Sequence, residues 1–194
     1  MGLWRTKQVS FTPRSYNIFF VFANLFTHRL FFSYLCNIEP LKKDKRMNQD
    51  VIKKASEIIA SKANYIGGGM EGYAVLALID ENGYPSASAL TIAKADGVNW
   101  LTFATSPDSN KAKRIAKNTR ASVCIASSSY NITLVGTIEV VDDINAKKET
   151  WFEPMSHMWS GPEDPNFYLI RFKTERYNIF VVEGENVLED VGTL

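Results

Sequence analysis

Between Val51 and Ile59 the apolar residues Val51, Ile52, Ala55, Ile58 and Ile59 recur at steps of three and four. That spacing marks one buried helix face and predicts a helix over 48–62. Gly67, Gly68 and Gly69 then break the pattern, and the short apolar run YAVLALID at 73–80 predicts a buried strand. Glu81, Asn82 and Gly83 supply hairpin-turn chemistry, with Gly83 suited to a positive φ. The small, polar and β-branched stretch PSASALTIAK at 85–94 and the run VNWLTFAT at 98–105, joined by Asp96-Gly97, predict the next two strands of a meander.

Ser109 is placed to cap a helix over 111–118, because its hydroxyl can accept from the unpaired amides of a first turn. Strands follow at 122–127 and 131–142. Asp142 and Asp143 offer cap chemistry for a helix through 147–152, and the irregular MSHMWSGPEDPN segment is predicted to cross the molecule and carry Trp159 to a useful place. Two last strands, 167–173 and 177–183, complete the set. Six or seven mostly consecutive strands with three helices indicate an antiparallel α+β domain built on a small barrel. The chain has no regular alternation of strand and helix and no P-loop, which argues against the nucleotide sites of doubly wound folds.

The first 46 residues are of a different kind. They hold ten of the 24 aromatic residues, and the stretch 18–38 reads IFFVFANLFTHRLFFSYLCNI. Asn24, His28 and Arg29 fall in the middle of this candidate span, against a transmembrane helix. The start is basic at Arg5, Lys7 and Arg14, yet no small-residue cleavage site follows the apolar run, against a signal peptide. Met47 could be a start codon. Three readings stay open for 1–46: translated upstream sequence, a membrane-associated anchor, or an ordered extra helix. The second domain, 47–194, is independent of that choice.

Charge divides at the same boundary. Residues 1–46 hold eight Lys or Arg against two acids (+6), and 47–194 hold fourteen against nineteen (−5). A net acidic body argues against nucleic acid as a partner, since binding a polyanion needs clustered bases. Cys36 and Cys124 form no short motif, so neither a disulfide framework nor a zinc ribbon is written, and a reducing cytoplasm is the natural setting. His28 and His157 are too few and too far apart for a metal cluster of the usual kind.

The stretch TSPDSNK at 105–111, which follows a strand and opens a helix, is suited to an anion. Helix N-termini present unpaired amides to phosphate, and Thr105, Ser106, Ser109 and Lys111 could add hydroxyls and a charge. The alternative is structural: Ser109 only caps, and Lys111, Lys113, Arg114 and Lys117 form a solvated face.

Several spacings taken together resemble the pyridoxamine 5'-phosphate oxidase-like superfamily, and its general-stress-protein branch in particular. Lys94 is followed eleven residues later by Thr105 and then by Ser109-Asn110-Lys111; Asn131 leads to Gly136; and Trp151 precedes the turn over 161–166. The resemblance implies a six- to seven-stranded antiparallel split β-barrel that binds FMN. It implies that the strand carrying Ser88, Ala89, Thr91 and Lys94 lies along the flavin, and that Thr105, Ser109, Asn110 and Lys111 hold the phosphate. Asn131 would then meet the ring edge, Trp159 would wall the ring from a second subunit or else fill its own loop's cluster, and a homodimer is expected. Asn110 stands where many relatives have Arg, Ala89 stands where true pyridoxamine phosphate oxidases have Arg, and the end VLEDVGTL lacks their Arg-x-His. Oxidation of pyridoxamine phosphate is therefore not expected. The expected function is an FMN-dependent oxidoreductase acting on an unknown small substrate, with an unknown electron donor. The alternative is a non-catalytic flavin or haem module, with His157 as the only candidate haem ligand in the body.

Overall fold

The computed structural model describes residues 45–65 and 72–194. The readings of the N-terminal extension and of the Gly67–Gly69 break fall outside the described residues. Helix α1 (Lys45–Lys62) buries Val51, Ala55 and Ile59, one residue per turn on one stripe, as the sequence spacing requires. Two short helices follow later, α2 (Asn110–Ile115) and α3 (Ile144–Thr150), capped by Ser109 and Asp143 through side-chain oxygens that accept from Ala112 N and Ala146 N. A 3₁₀ turn over Glu153–His157 continues beyond α3. Among the described residues no helix is long and apolar enough to cross a membrane.

The strands are β1 (Tyr73–Ile79), β2 (Pro85–Thr91), β3 (Lys94–Asp96), β4 (Trp100–Thr105), β5 (Arg120–Ala126), β6 (Tyr130–Val141), β7 (Tyr168–Glu183) and β8 (Asn186–Thr193). They pair antiparallel in the order β2-β1-β5-β6-β7-β4-β3, with β8 added on β7. The two ends of this path, β2 and β3, are joined in the chain by only Ile92 and Ala93. A sheet whose edges are so closely connected must curl upon itself, and it does: Ala93 N donates to Thr102 O and Asn64 N donates to Ile92 O, both at 2.9 Å. Leu76, Phe103, Leu134 and Phe172 fill the interior with no exposed surface beyond 1%. The expected α+β class and split-barrel architecture are those observed.

Local details depart from the sequence reading. The single strand expected over 85–94 is two, because Ile92 and Ala93 turn inward and become buried. The pair expected at 167–173 and 177–183 is one continuous strand. Across Lys173-Thr174-Glu175-Arg176 the chain does not turn; Glu175 is accommodated as an extra residue where the register against β6 slips between Val135 and Gly136. Gly136 is required there, since a Cβ would collide with the carbonyl oxygen of Lys173. Strand β8 was not anticipated. The β1–β2 turn follows expectation: Asp80 Oδ1 accepts from Asn82 N and Tyr84 N at 2.9 Å, and Gly83 has φ +85°.

Candidate functional site

The end of β4 and the N-terminal turn of α2 bring four polar side chains to one place: Thr105, Ser106, Ser109 and Lys111. The Thr105 and Ser109 hydroxyls lie 2.9 Å apart, and Ser109 Oγ also accepts from Ala112 N at 3.1 Å. Thr105 is buried. Lys111 is half-buried and makes no ion pair among the described residues.

These residues form one end of a cavity of about 550 Å³. Its side along the sheet is Ala89, Leu90 and Thr91 of β2 with Ala104 of β4, and Tyr65 and Tyr73 also reach it. The remaining wall is apolar, made of Phe152, Pro154, Met155, Met158 and Trp159. This wall is itself supported. Phe167 is fully buried against Trp151 and Trp159, with ring centroids 5.3 and 5.2 Å away and both contacts edge-on. Trp159 Nε1 donates to Asn166 O at 2.8 Å. Asp164 ties the following turn by accepting from Ser160 N, Ser160 Oγ and Asn166 N at 2.8 to 2.9 Å. The backbone N–H of Ser160, then that of Asn166, hold the Asp164 carboxyl below its ordinary pKa.

Of the residues singled out from sequence, Ala89, Thr91, Thr105, Ser109, Lys111 and Trp159 line this cavity together. Trp159 both fills its loop's own cluster and faces the cavity of its own chain. Four others do not line it. Ser88 lies between Ala89 and its neighbour on the opposite side of β2, paired with the buried Leu76. Lys94 is drawn to Glu149 of α3 at 3.0 Å. Asn110 projects from the next face of α2 toward a smaller depression with Glu81 and Arg114. Asn131 sits on the outer face of the sheet beside Phe180, where its Oδ1 accepts from Cys124 Sγ at 3.6 Å. Sequence reasoning missed Tyr65, Tyr73, Phe152, Met155 and Met158. The three- and four-residue spacing of Met155, Met158 and Trp159 was the available signal for the wall.

The outer face is unusual in its own right. Register places Ala89, Val75, Cys124, Thr133, Asn178 and Val191 in one row across six strands. Val75 and Val191 on this row, and Tyr73, Phe180 and Val182 beside it, are exposed. The face begins at the cavity, since Ala89, Thr91 and Tyr73 belong to both.

A curled antiparallel sheet with flanking helices and one mixed polar and apolar cavity defines a split-barrel protein of the α+β class. The sequence model of the family described as "Pyridoxamine 5'-phosphate oxidase like" matches residues 70–189, and the chain belongs to that family. No curated protein matches. Among solved structures the chain is similar to a Clostridium acetobutylicum protein related to general stress protein 26, of the pyridoxinephosphate oxidase family (21% identity, TM-score 0.58, covering 73% of this chain and 94% of that one). It is similar to a pyridoxamine 5'-phosphate oxidase-related, FMN-binding protein of Nostoc punctiforme (15% identity, TM-score 0.51, 79% and 99%). A haem-binding protein of Mycobacterium smegmatis shares the fold as well (19% identity, TM-score 0.52, 72% and 57%). At these identities the likeness is one of fold.

Proposed function

We propose that the cavity binds FMN and that the protein is an FMN-dependent oxidoreductase, with the phosphate at the Thr105–Lys111 end and the ring between β2 and the Trp159 wall. The observation that carries this reading is the half-buried Lys111 at the polar end of an otherwise apolar cavity, beside the paired hydroxyls of Thr105 and Ser109. That donor set fits a phosphate, because it offers a full charge and oriented O–H groups in one place. The small side chains of Ala89 and Ala104 leave room for a flat ring, and the apolar wall excludes water from it. When bound, the flavin supplies the hydride chemistry; the protein's part is orientation and anchoring. His157 is exposed and does not line the cavity, so a haem held through it has no support from this geometry.

We also propose a homodimer, formed through the outer face. Exposed Tyr73, Val75, Phe180 and Val191 lie on that face, and its continuity with the cavity supports a second copy of this chain as the occupant. Asn131, on the same face, would then come to the ring only from the other subunit.

The test is an absorbance spectrum of the purified full-length chain before and after FMN is added, with Lys111→Ala and Ser109→Ala alongside. Bands near roughly 375 and 450 nm, as for protein-bound flavin, are expected in the parent and weakened in both variants. Failure to bind FMN in excess would sink the proposal. A dominant band near about 400 nm would replace flavin with haem.

A further inference from the structure

Two separate elements carry the sides of the cavity. Lys111 stands on α2 with Ser109 as its cap, whereas Ala89, Leu90 and Thr91 stand on β2, the strand at one end of the sheet order. A ligand that spans both needs a fixed distance between them. Helix α2 has six residues, under two turns, and a helix that short has little stability of its own. Its placement therefore depends on what its side chains hold.

Arg114 holds β2. Its Nη1 donates to Ser86 Oγ, near the start of β2, at 2.8 Å, and its buried Nε lies 3.8 Å from Glu81 Oε2 in the β1–β2 turn. The side chain is 19% exposed, so Arg114 does not belong to the solvated face that the sequence allowed for it. The turn it reaches is itself fixed, since Asp80 Oδ1 accepts from Asn82 N and Tyr84 N. Along the helix Arg114 stands three residues, about 4.5 Å, beyond Lys111. Along β2 Ser86 stands three residues, about 10 Å, before Ala89. The guanidinium thus ties the two carriers together beside the anion end, although neither Arg114 nor Ser86 lines the cavity.

We propose that Arg114 is a positioning residue for the cavity's ligand: through Ser86 and Glu81 it sets the distance between the phosphate end on α2 and the ring strand β2. The inference rests on the FMN reading. A planar guanidinium suits this role, because its fixed donors meet two partners at once, which an ammonium on a flexible stem does not reproduce. Without the clamp, α2 has to be ordered against β2 when the ligand arrives, and that ordering weakens binding.

The test is FMN affinity, by flavin fluorescence titration, of the full-length protein and of Ser86→Ala, Ser86→Thr, Arg114→Lys and the double variant Ser86→Ala/Arg114→Lys. Amide hydrogen exchange of the same proteins without ligand accompanies it. Ser86→Ala and Arg114→Lys are each expected to weaken FMN binding about threefold to tenfold, the range of one net hydrogen bond, and the double variant no more than the weaker-binding single one. Ser86→Thr keeps the accepting oxygen and is expected to stay within about twofold of the parent. Exchange is expected to quicken in α2 and to stay unchanged in β6 and β7. Parent-like affinity in Arg114→Lys would make charge alone responsible and overturn the inference. So would multiplied losses in the double variant, a Ser86→Thr variant as weak as Ser86→Ala, or faster exchange throughout the molecule. If the parent takes no FMN, the functional proposal falls by itself. The clamp is then judged on exchange, and α2 amides unaffected by both Ser86→Ala and Arg114→Lys overturn it.

Discussion

The barrel interior and the small cluster behind the cavity wall are both apolar, but they are ordered by different means. Interior residues such as Leu76, Phe103, Leu134 and Phe172 come from strands, and the ladder hydrogen bonds on either side fix each one. The second cluster, Ala93, Met155, Trp159 and Phe167, comes from a strand junction, a 3₁₀ turn and a loop. Its order depends on a few side-chain bonds, chiefly Trp159 Nε1 to Asn166 O and the three that Asp164 accepts. The contrast assigns global stability to the first cluster and cavity shape to the second.

The sharpest break of that contrast is Phe172→Ala, which removes a fully buried ring from the interior. A loss of about 3–5 kcal/mol in unfolding free energy is expected, read by urea denaturation. Lys111→Ala comes next and acts on the other side: FMN affinity should fall by about 1.5–3 kcal/mol, the worth of a charge-assisted hydrogen bond, while unfolding stays within about 0.5 kcal/mol of the parent. A large stability loss in this variant would mean that the polar end is part of the framework.

Trp159→Phe keeps an aromatic ring and deletes one bond to Asn166 O, so about 0.5–1.5 kcal/mol is at stake. The expected result is weaker FMN binding with little movement of the urea midpoint. A midpoint shift as large as that of Phe172→Ala would merge the two clusters into one. The smallest effect is pH-dependent. Because the folded Asp164 carboxyl lies below the ordinary value of 3.8, its bonds stabilise the turn fully above that value and are lost as pH falls through the lower, folded one. Tryptophan emission that is present in the parent and absent in Trp159→Phe should therefore change in acid before far-ultraviolet circular dichroism does. Simultaneous loss of both signals would count against a separable wall.

The parts legible in the sequence were those with a local period or a local hydrogen-bonding residue. The α1 stripe, the Asp80–Gly83 turn and the Ser109 cap each carry their own signal over a few residues. Strand β8 had none: its burial alternates, but the inward positions are Leu188, Asp190 and Gly192 while Val187 and Val191 face outward, so the residue types show no apolar and polar alternation. The unbroken β7 was hidden because Lys173-Thr174-Glu175-Arg176 has the polarity of a turn, and only the close approach allowed by Gly136 lets the strand continue. At the site, TSPDSNK could be recognised as an anion motif from its own residues. The displacement of Lys94 and Asn131 could not, because it depends on Glu149 and on which side of the sheet each side chain leaves.

The two-residue junction at Ile92 and Ala93 also sets an order of assembly. The hairpins β1/β2, β5/β6 and β7/β8 join strands a few residues apart in the chain and can form early. Pairing Trp100 with Lys173 must close a long loop before it gains anything, which makes it slow. Only that late step brings the segment ending at Trp159 against β2 and β4, and the cavity needs all three at once. The binding site is thus the last part of the molecule to exist during folding, and any ligand it takes acts as a lock on the completed barrel rather than as a template for it.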